Sequence, residues 1–162
     1  MLMADGFAQS SRAYTATSGS DSAFSHTSDG GDTWNQVGLI DTSISNIIDL
    51  AVSPYYSQDN TIFMLTWGGE HSLWRSLNEG ERWERLYSST LANVDCIDLI
   101  ELPPQYDGQV IYLAGSSDGN PTLWKSSDNG QEFTHRSVPF TIDTWAIASD
   151  KTLFIGSYDG SN

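Results

Sequence analysis

Cysteine is nearly absent from this chain, and positive charge is scarce. One cysteine, Cys96, in 162 residues excludes an intrachain disulfide and a zinc site built on Cys ligands. It lies in the apolar run VDCIDLIEL, where a thiol behaves as a small buried hydrophobe rather than a nucleophile. Lys and Arg number 7 against 21 Asp and Glu, for a formal charge of −14. A nucleic-acid partner is repelled, and an anionic membrane surface has no basic run to hold. The acidity is read as that of a soluble protein surface. No apolar stretch approaches the ~20 residues of a spanning helix, so no membrane insertion is expected. The opening MLMADGFAQSSRAY has neither the basic n-region nor the uninterrupted apolar h-region of a signal peptide. The three histidines, His26, His71 and His135, stand far apart in no ligand spacing, so no metal site and no cofactor is expected.

What is present is the composition of a globular chain: 38% hydrophobic and 12% aromatic residues, enough to bury a core. Fourteen glycines, with many Ser, Asp, Asn and Thr spread along the whole length, mark frequent turns between short elements. Runs such as Thr61–Leu65, Val110–Leu113 and Thr152–Ile155 are β-branched and aromatic and are bounded by turn residues, the pattern of strands. No stretch keeps a helical period. The chain is all-β.

Three octets recur: TSDGGDTW (27–34), SLNEGERW (76–83) and SSDNGQEF (126–133). Each runs Ser/Thr, any, Asp/Asn, any, Gly, any, any, aromatic. Asp29, Asn78 and Asp128 are 49 and 50 residues apart, a period in the range of propeller blades. The surroundings recur too: an alternating strand, a turn (GSDS at 19–22, WGGEH at 67–71, SDGN at 117–120, YDGS at 158–161), a short strand such as SLWRS or TLWKS, then the octet. Four strands per repeat is the natural count.

Residue chemistry gives the octet a structural task. Asp29, Asn78 and Asp128 accept bonds from backbone N–H groups of their own turn, and Thr27, Ser76 and Ser126 do so more weakly. Gly31, Gly80 and Gly130 supply a positive φ. Trp34, Trp83 and Phe133 are expected to drop into the blade core as anchors. Because Asn78 stands where the sister repeats have Asp, acid–base or metal chemistry at this position is disfavoured.

The octets resemble the Asp-box (BNR) repeat of sialidase-type β-propellers, which also occurs in sortilin-like receptors, xyloglucanases and photosystem II assembly factors. The flanking segments are similar to repeats of large bacterial surface and secreted proteins. The resemblance implies a partial β-propeller of four-stranded antiparallel blades with Asp-box hairpins, about three to four blades in this chain. It places an extension at 1–12, strands B to D of a first blade at 13–38, blades at 44–88 and 94–138, and strands A and B of another at 143–158, within a partial blade running to 162. It also implies an extracellular or cell-surface location.

Function is expected in a non-catalytic scaffold or recognition module with a glycan or protein ligand. The alternative is a fragment of a glycoside hydrolase acting on neutral glycans, xyloglucanase-like. Catalytic residues are assigned to none. Sialidase activity is disfavoured, because that family needs three arginines on the substrate carboxylate. The chain has five, of which Arg75, Arg82 and Arg85 crowd around one octet. Candidate ligand-binding residues are Asp49 and Asp98, 49 apart at the heads of innermost strands, with Asp143 a third such acid, and Trp67. Trp67 has no aromatic counterpart at its equivalent Ser117, and with Tyr55 and Tyr56 it could form a sugar-stacking platform. Incomplete blades at the two ends lead to the expectation of a homo-oligomer or of membership in a larger propeller.

Overall fold

In a computed structural model of the chain, which describes residues 1–3, 6–18, 23–39, 44–88 and 94–158, the strands form sheets in chain order. β1 (Leu2–Met3), β2 (Ala13–Thr17), β3 (Ala23–Thr27) and β4 (Asn35–Leu39) make the first sheet. β5 (Asn46–Val52), β6 (Ile62–Trp67), β7 (His71–Ser76) and β8 (Glu84–Ser88) make the second. β9 (Val94–Glu101), β10 (Ile111–Ser117), β11 (Asn120–Ser126) and β12 (Thr134–Ser137) make the third, and β13 (Thr144–Ser149) and β14 (Thr152–Gly156) a two-stranded fourth. Every pairing is antiparallel between sequence neighbours, the meander of a propeller blade. The chain divides into two compact units, residues 1–88 and 89–162, with two sheets in each.

The first blade begins earlier than the sequence reading has it. Leu2–Met3 pairs with β2 and gives that sheet a fourth strand. The one-turn helix α1 (Phe7–Ser10) stands 49 residues before the one-turn helix α2 (Tyr56–Asp59). Both helices end in a left-handed residue, Ser11 and Asn60. Residues 1–12 are therefore the start of a repeat, disguised because MADGFAQSS keeps little of VSPYYSQDN beyond the aromatic and the glutamine.

Strand chemistry follows burial. β6 is buried from Ile62 to Thr66, and β10 from Ile111 to Ala114. Their β-branched and aromatic side chains suit a packed pleated surface. Asp118 and Gly119, at φ 50° and 71°, close β10 onto β11 in a two-residue hairpin, the geometry that matches strand twist. The turn expected at 19–22 lies outside the described residues, as do residues 159–161 of the turn expected at 158–161.

In the first unit, Tyr14, Phe24, Tyr56 and Ile62 form a buried cluster with Val37, Leu50, Val52 and Trp83 packed on it. Tyr14 stacks on Phe24 at 5.6 Å between centroids and meets Tyr56 edge-on at 5.2 Å. The Tyr14 hydroxyl donates to that of Tyr56, and burial holds both phenols above the usual tyrosine range. In the second unit Ile97, Ile111, Leu113, Trp124 and Ile147 are buried. There the Tyr112 hydroxyl and the Lys125 ammonium both donate to the carbonyl of Asp150, at 2.7 and 2.5 Å.

Candidate functional site

The three octets fold into one hydrogen-bonded turn, repeated. Thr27, Ser76 and Ser126 are almost completely buried, 0 to 1% exposed, and each hydroxyl serves as a hub. It donates to the acid or amide two residues on, at 2.5 Å to Asp29, 3.0 Å to Asn78 and 2.7 Å to Asp128. It accepts from the glycine amide four residues on, at 3.0 Å from Gly31 and 2.8 Å from both Gly80 and Gly130. The acid or amide then accepts from the amide four residues beyond itself: Thr33, Arg82 and Glu132, at 3.0, 2.9 and 3.0 Å. Asn78 makes the two bonds common to all three turns, while Asp29 also accepts from the Thr33 hydroxyl and Asp128 from the Gln131 amide at 3.1 Å. Gly31, Gly80 and Gly130 take φ of 107°, 90° and 88°.

These bonds set the acidity of the turn. Hydroxyls of Thr27 and Thr33, with the Thr33 amide, hold Asp29 well below the usual carboxylate range. The backbone N–H of Glu132 and the Ser126 hydroxyl lower Asp128 in the same direction. Neither carboxylate is poised to exchange a proton near neutrality.

Two features of the turn have no signal in the octet pattern. Its fourth residue is also left-handed: Gly30 at φ 81°, Glu79 and Asn129 at 64°. For a non-glycine side chain that geometry costs ~1 kcal/mol or more. The amide it presents donates to a loop carbonyl between the first two strands of the same blade: Gly30 to Ser11 at 2.9 Å, Glu79 to Asn60 at 3.4 Å, Asn129 to Gln109 at 2.9 Å.

The aromatic residues of the boxes depart from expectation. Trp34 is 37% exposed, and its ring lies near Gly31 of its own turn, where an added Cβ would meet it at 3.9 Å. Trp83 is half-buried and packs edge-on against Phe24 of the preceding blade, 5.2 Å between centroids. The box aromatic of the second blade therefore ties it to its neighbour instead of filling its own core. Phe133 is half-buried. Trp74 and Trp124, at 8% and 2% exposure, are the core tryptophans.

The proposed aromatic platform is not assembled. Tyr56 is buried in the first-unit cluster, because its ring is the edge-on partner of Tyr14. Tyr55 and Trp67 remain exposed, Tyr55 at the start of α2 and Trp67 at the far end of β6. Trp67 instead lies against the His71 ring, 4.7 Å between centroids.

Asp49 and Asp98 both sit at register slips, in β5 and β9. Asp49 accepts from the Leu50 amide at 2.8 Å and lines a cavity of about 260 Å³ with Ala16, Ser18 and Ile47. Exposed Asp98 accepts from the Cys96 thiol at 2.9 Å and lines a cavity of about 280 Å³. Burial, then Asp98, pushes the Cys96 thiol up, away from thiolate reactivity. Asp143 accepts from the Tyr158 amide at 2.6 Å. Other acids are engaged the same way: Asp59 by Ser53 and Thr61, Asp95 by Gly119, Asp107 by Gln109.

Three of the five arginines are engaged as well. Arg75 pairs with Glu84 at 2.7 Å, and Arg85 with Glu70 while lying 5.4 Å over the Trp74 ring. Arg12 faces Glu79 at 4.0 Å. Among the described residues no group of three or more His, Cys, Asp or Glu side chains is placed to hold a metal ion, and no helix is long and apolar enough to cross a membrane.

No protein-family model and no curated protein sequence matches the chain. Solved structures do. A chain of a nidogen/laminin complex superposes with a TM-score of 0.60 at 16% identity, over 82% of this chain and 46% of that one. A GH74 enzyme of Niastella koreensis gives 0.58 at 24% identity, over 76% and 20%. YCF48 bound to a D1 peptide gives 0.56 at 13%, over 82% and 40%. This chain thus spans from a fifth to under a half of the structures it matches, and at these identities the likeness is one of fold: the sheets are blades of a β-propeller.

Proposed function

We infer that the chain is part of an Asp-box propeller that serves as a non-catalytic scaffold or recognition module, in a bacterial surface or secreted protein. The observation that carries this reading is how the repeated polar residues are used. Each box acid or amide is engaged by its own turn, an amide closes that turn where the sister repeats have a carboxylate, and the acidity of both box carboxylates is displaced away from neutrality. Residues so engaged hold a shape. Two of the matched structures are of a protein complex and of a protein bound to a peptide, which favours recognition of polypeptide by the same architecture.

The second reading, a piece of a glycoside hydrolase for neutral glycans, is favoured by the likeness to a GH74 enzyme and by the two inner-strand acids that line cavities, Asp49 and Asp98. Glycoside hydrolysis needs two carboxyl groups flanking the scissile bond, one of them able to hold a proton. Incubation with xyloglucan and other neutral polysaccharides, followed by reducing-end detection, decides between the readings. No release is expected. Turnover abolished by Asp49→Asn or Asp98→Asn would overturn the scaffold reading.

A further inference from the structure

β9 breaks its register with β10 twice, and each break loops out an acid. Between Leu99, which pairs with Ala114, and Ile97, which pairs with Gly115, the extra residue is Asp98. Between Cys96, on Ser116, and Val94, on Ser117, it is Asp95. A bulge of this kind re-aims the side chain it carries. β5 and β13 slip once each and loop out Ile48 and Ala148, so the two acids are particular to the third blade and are no requirement of blade geometry. Asp95 is used internally: it accepts from the Gly119 amide at 2.7 Å and ties β9 to the β10–β11 hairpin.

Asp98 lines a cavity of about 280 Å³, several times the ~30 Å³ share of a water molecule. Leu99, Ala114, Pro121 and Ile142 give it apolar walls, and no Lys or Arg is among the lining residues. All of them belong to the second unit, on β9, the β10–β11 hairpin and the segment that leads into β13. Three of its polar side chains stand in a row. The Cys96 sulfur lies 2.9 Å from Asp98 Oδ2 and 3.2 Å from Ser116 Oγ. A carboxylate only accepts, so the one thiol proton goes to Asp98 and the Ser116 hydroxyl donates to the sulfur. Both protons of the row are thereby used. What remains are acceptors: Asp98 Oδ1, which has no hydrogen-bond partner among the described residues, and the lone pairs of Ser116 Oγ. Such a row selects a positively charged donor, and the formal charge of −14 draws one in. A guanidinium pairs best through both carboxylate oxygens, but Oδ2 already holds the thiol. An ammonium is a point charge with three donors and needs only Oδ1 and the serine.

We propose that this cavity receives the side-chain ammonium of a lysine in a polypeptide partner. The aliphatic stem lies along Leu99, Pro121 and Ile142, and the head bridges Asp98 and Ser116. The assignment rests on the recognition reading and names the chemistry of what is recognised at Asp98.

Amide shifts of Gly115, Ser116 and Gly119 in the isotope-labelled whole chain report occupancy. The probe is Nα-acetyl-lysine methylamide, with its norleucine and arginine analogues, n-butylamine and glucose as comparators at matched ionic strength. The lysine probe is expected to saturate these shifts with a Kd of about a millimolar, about tenfold tighter than norleucine. Asp98→Asn should remove that advantage and leave the norleucine analogue unaffected. Thr141→Arg, at an exposed lining position, should do the same by setting a cation of the protein's own beside Asp98. It keeps the test decisive if a thermal melt shows that Asp98→Asn does not fold. Bound lysine should also lower the Cys96 pKa, followed by its Cβ shift, because Asp98 helps to hold that thiol up. Norleucine or arginine binding as tightly as lysine, lysine binding that survives the substitutions, glucose competing for the same shifts, or no shift at all overturns the receptor. Tighter binding of n-butylamine than of the lysine probe makes the occupant a free amine and overturns the polypeptide source. None of these results touches the polysaccharide assay, which judges the recognition reading separately.

Discussion

Trp83→Ala is the substitution that best separates a box aromatic acting within its own turn from one acting between blades. An aromatic side chain buries ~150–250 Å². Half of that, for the half-buried Trp83, is worth ~2–3 kcal/mol at ~25 cal/mol per Å², and the edge-on pair with Phe24 adds ~1 kcal/mol. Against this, the indole Nε1 is buried with no hydrogen-bond partner among the described residues, a penalty of ~1–3 kcal/mol that truncation removes. The net loss is ~2 kcal/mol, or ~4–8 °C in midpoint for a chain of this size. Trp34→Ala removes an exposed ring that lies against its own glycine, and should cost no more than ~1 kcal/mol. Trp83→Phe keeps an aromatic against Phe24 and deletes the unpaired N–H, so it should stay within ~0.5 kcal/mol of the parent. Thermal melts and urea titrations by circular dichroism measure all three. Equal losses for Trp34→Ala and Trp83→Ala, or a Trp83→Phe as damaging as the alanine, would refute the inter-blade role.

Ser76→Ala and Ser126→Ala each strip a buried hub of one donated and two accepted bonds, and urea titration should show a loss of ~1–2 kcal/mol apiece. Asp29→Asn should be milder, since Asn78 makes the same turn. Gly80→Ala should cost more than any of these, because it forces a Cβ into the Phe24 ring at φ 90°; a neutral midpoint would show that the seat is loose. For pH, Asp29 and Asp128 have folded values below their unfolded ones. Their ionised turns therefore add stability above the unfolded value of about 4, and lose it as pH falls toward the depressed folded value. The gap between the parent and the Asp29→Asn/Asp128→Asn double variant should accordingly close as melts are taken from pH 5 to pH 2, and a constant gap would contradict the assignment.

The octets, the strands and the propeller blade were legible because each depends on local chemistry: a turn acceptor, a glycine at positive φ, an alternating or buried strand. The burial of Trp34 and Trp83 was not, since identical positions in the repeat differ only in which sheet lies beside them. Tyr56 looked like a surface aromatic because its loop is polar, and it is drawn inward by a partner 42 residues earlier, Tyr14. The left-handed Glu79 runs against residue preference, so no pattern announces it. Lys125, Arg136 and Lys151 line one cavity of about 700 Å³, and they are too dispersed in sequence to register as a basic patch in a chain dominated by acids.

The bond from each box to its first inter-strand loop also explains where the repeat can change length. Thr17 pairs with Ala23, Trp67 with His71 and Ser117 with Asn120, so the hairpins between second and third strands enclose five, three and two residues respectively. The fastened ends keep step meanwhile, with Ser11, Asn60 and Gln109 each 49 apart. The one residue by which the third repeat exceeds the others falls in that middle hairpin, where β10 and β11 are each a residue longer than β6 and β7 and the loop a residue shorter. A duplicated blade of this kind is thus gauged at one end and adjustable at the other. Insertions that diversify a copy should survive at the middle hairpin and fail at the box.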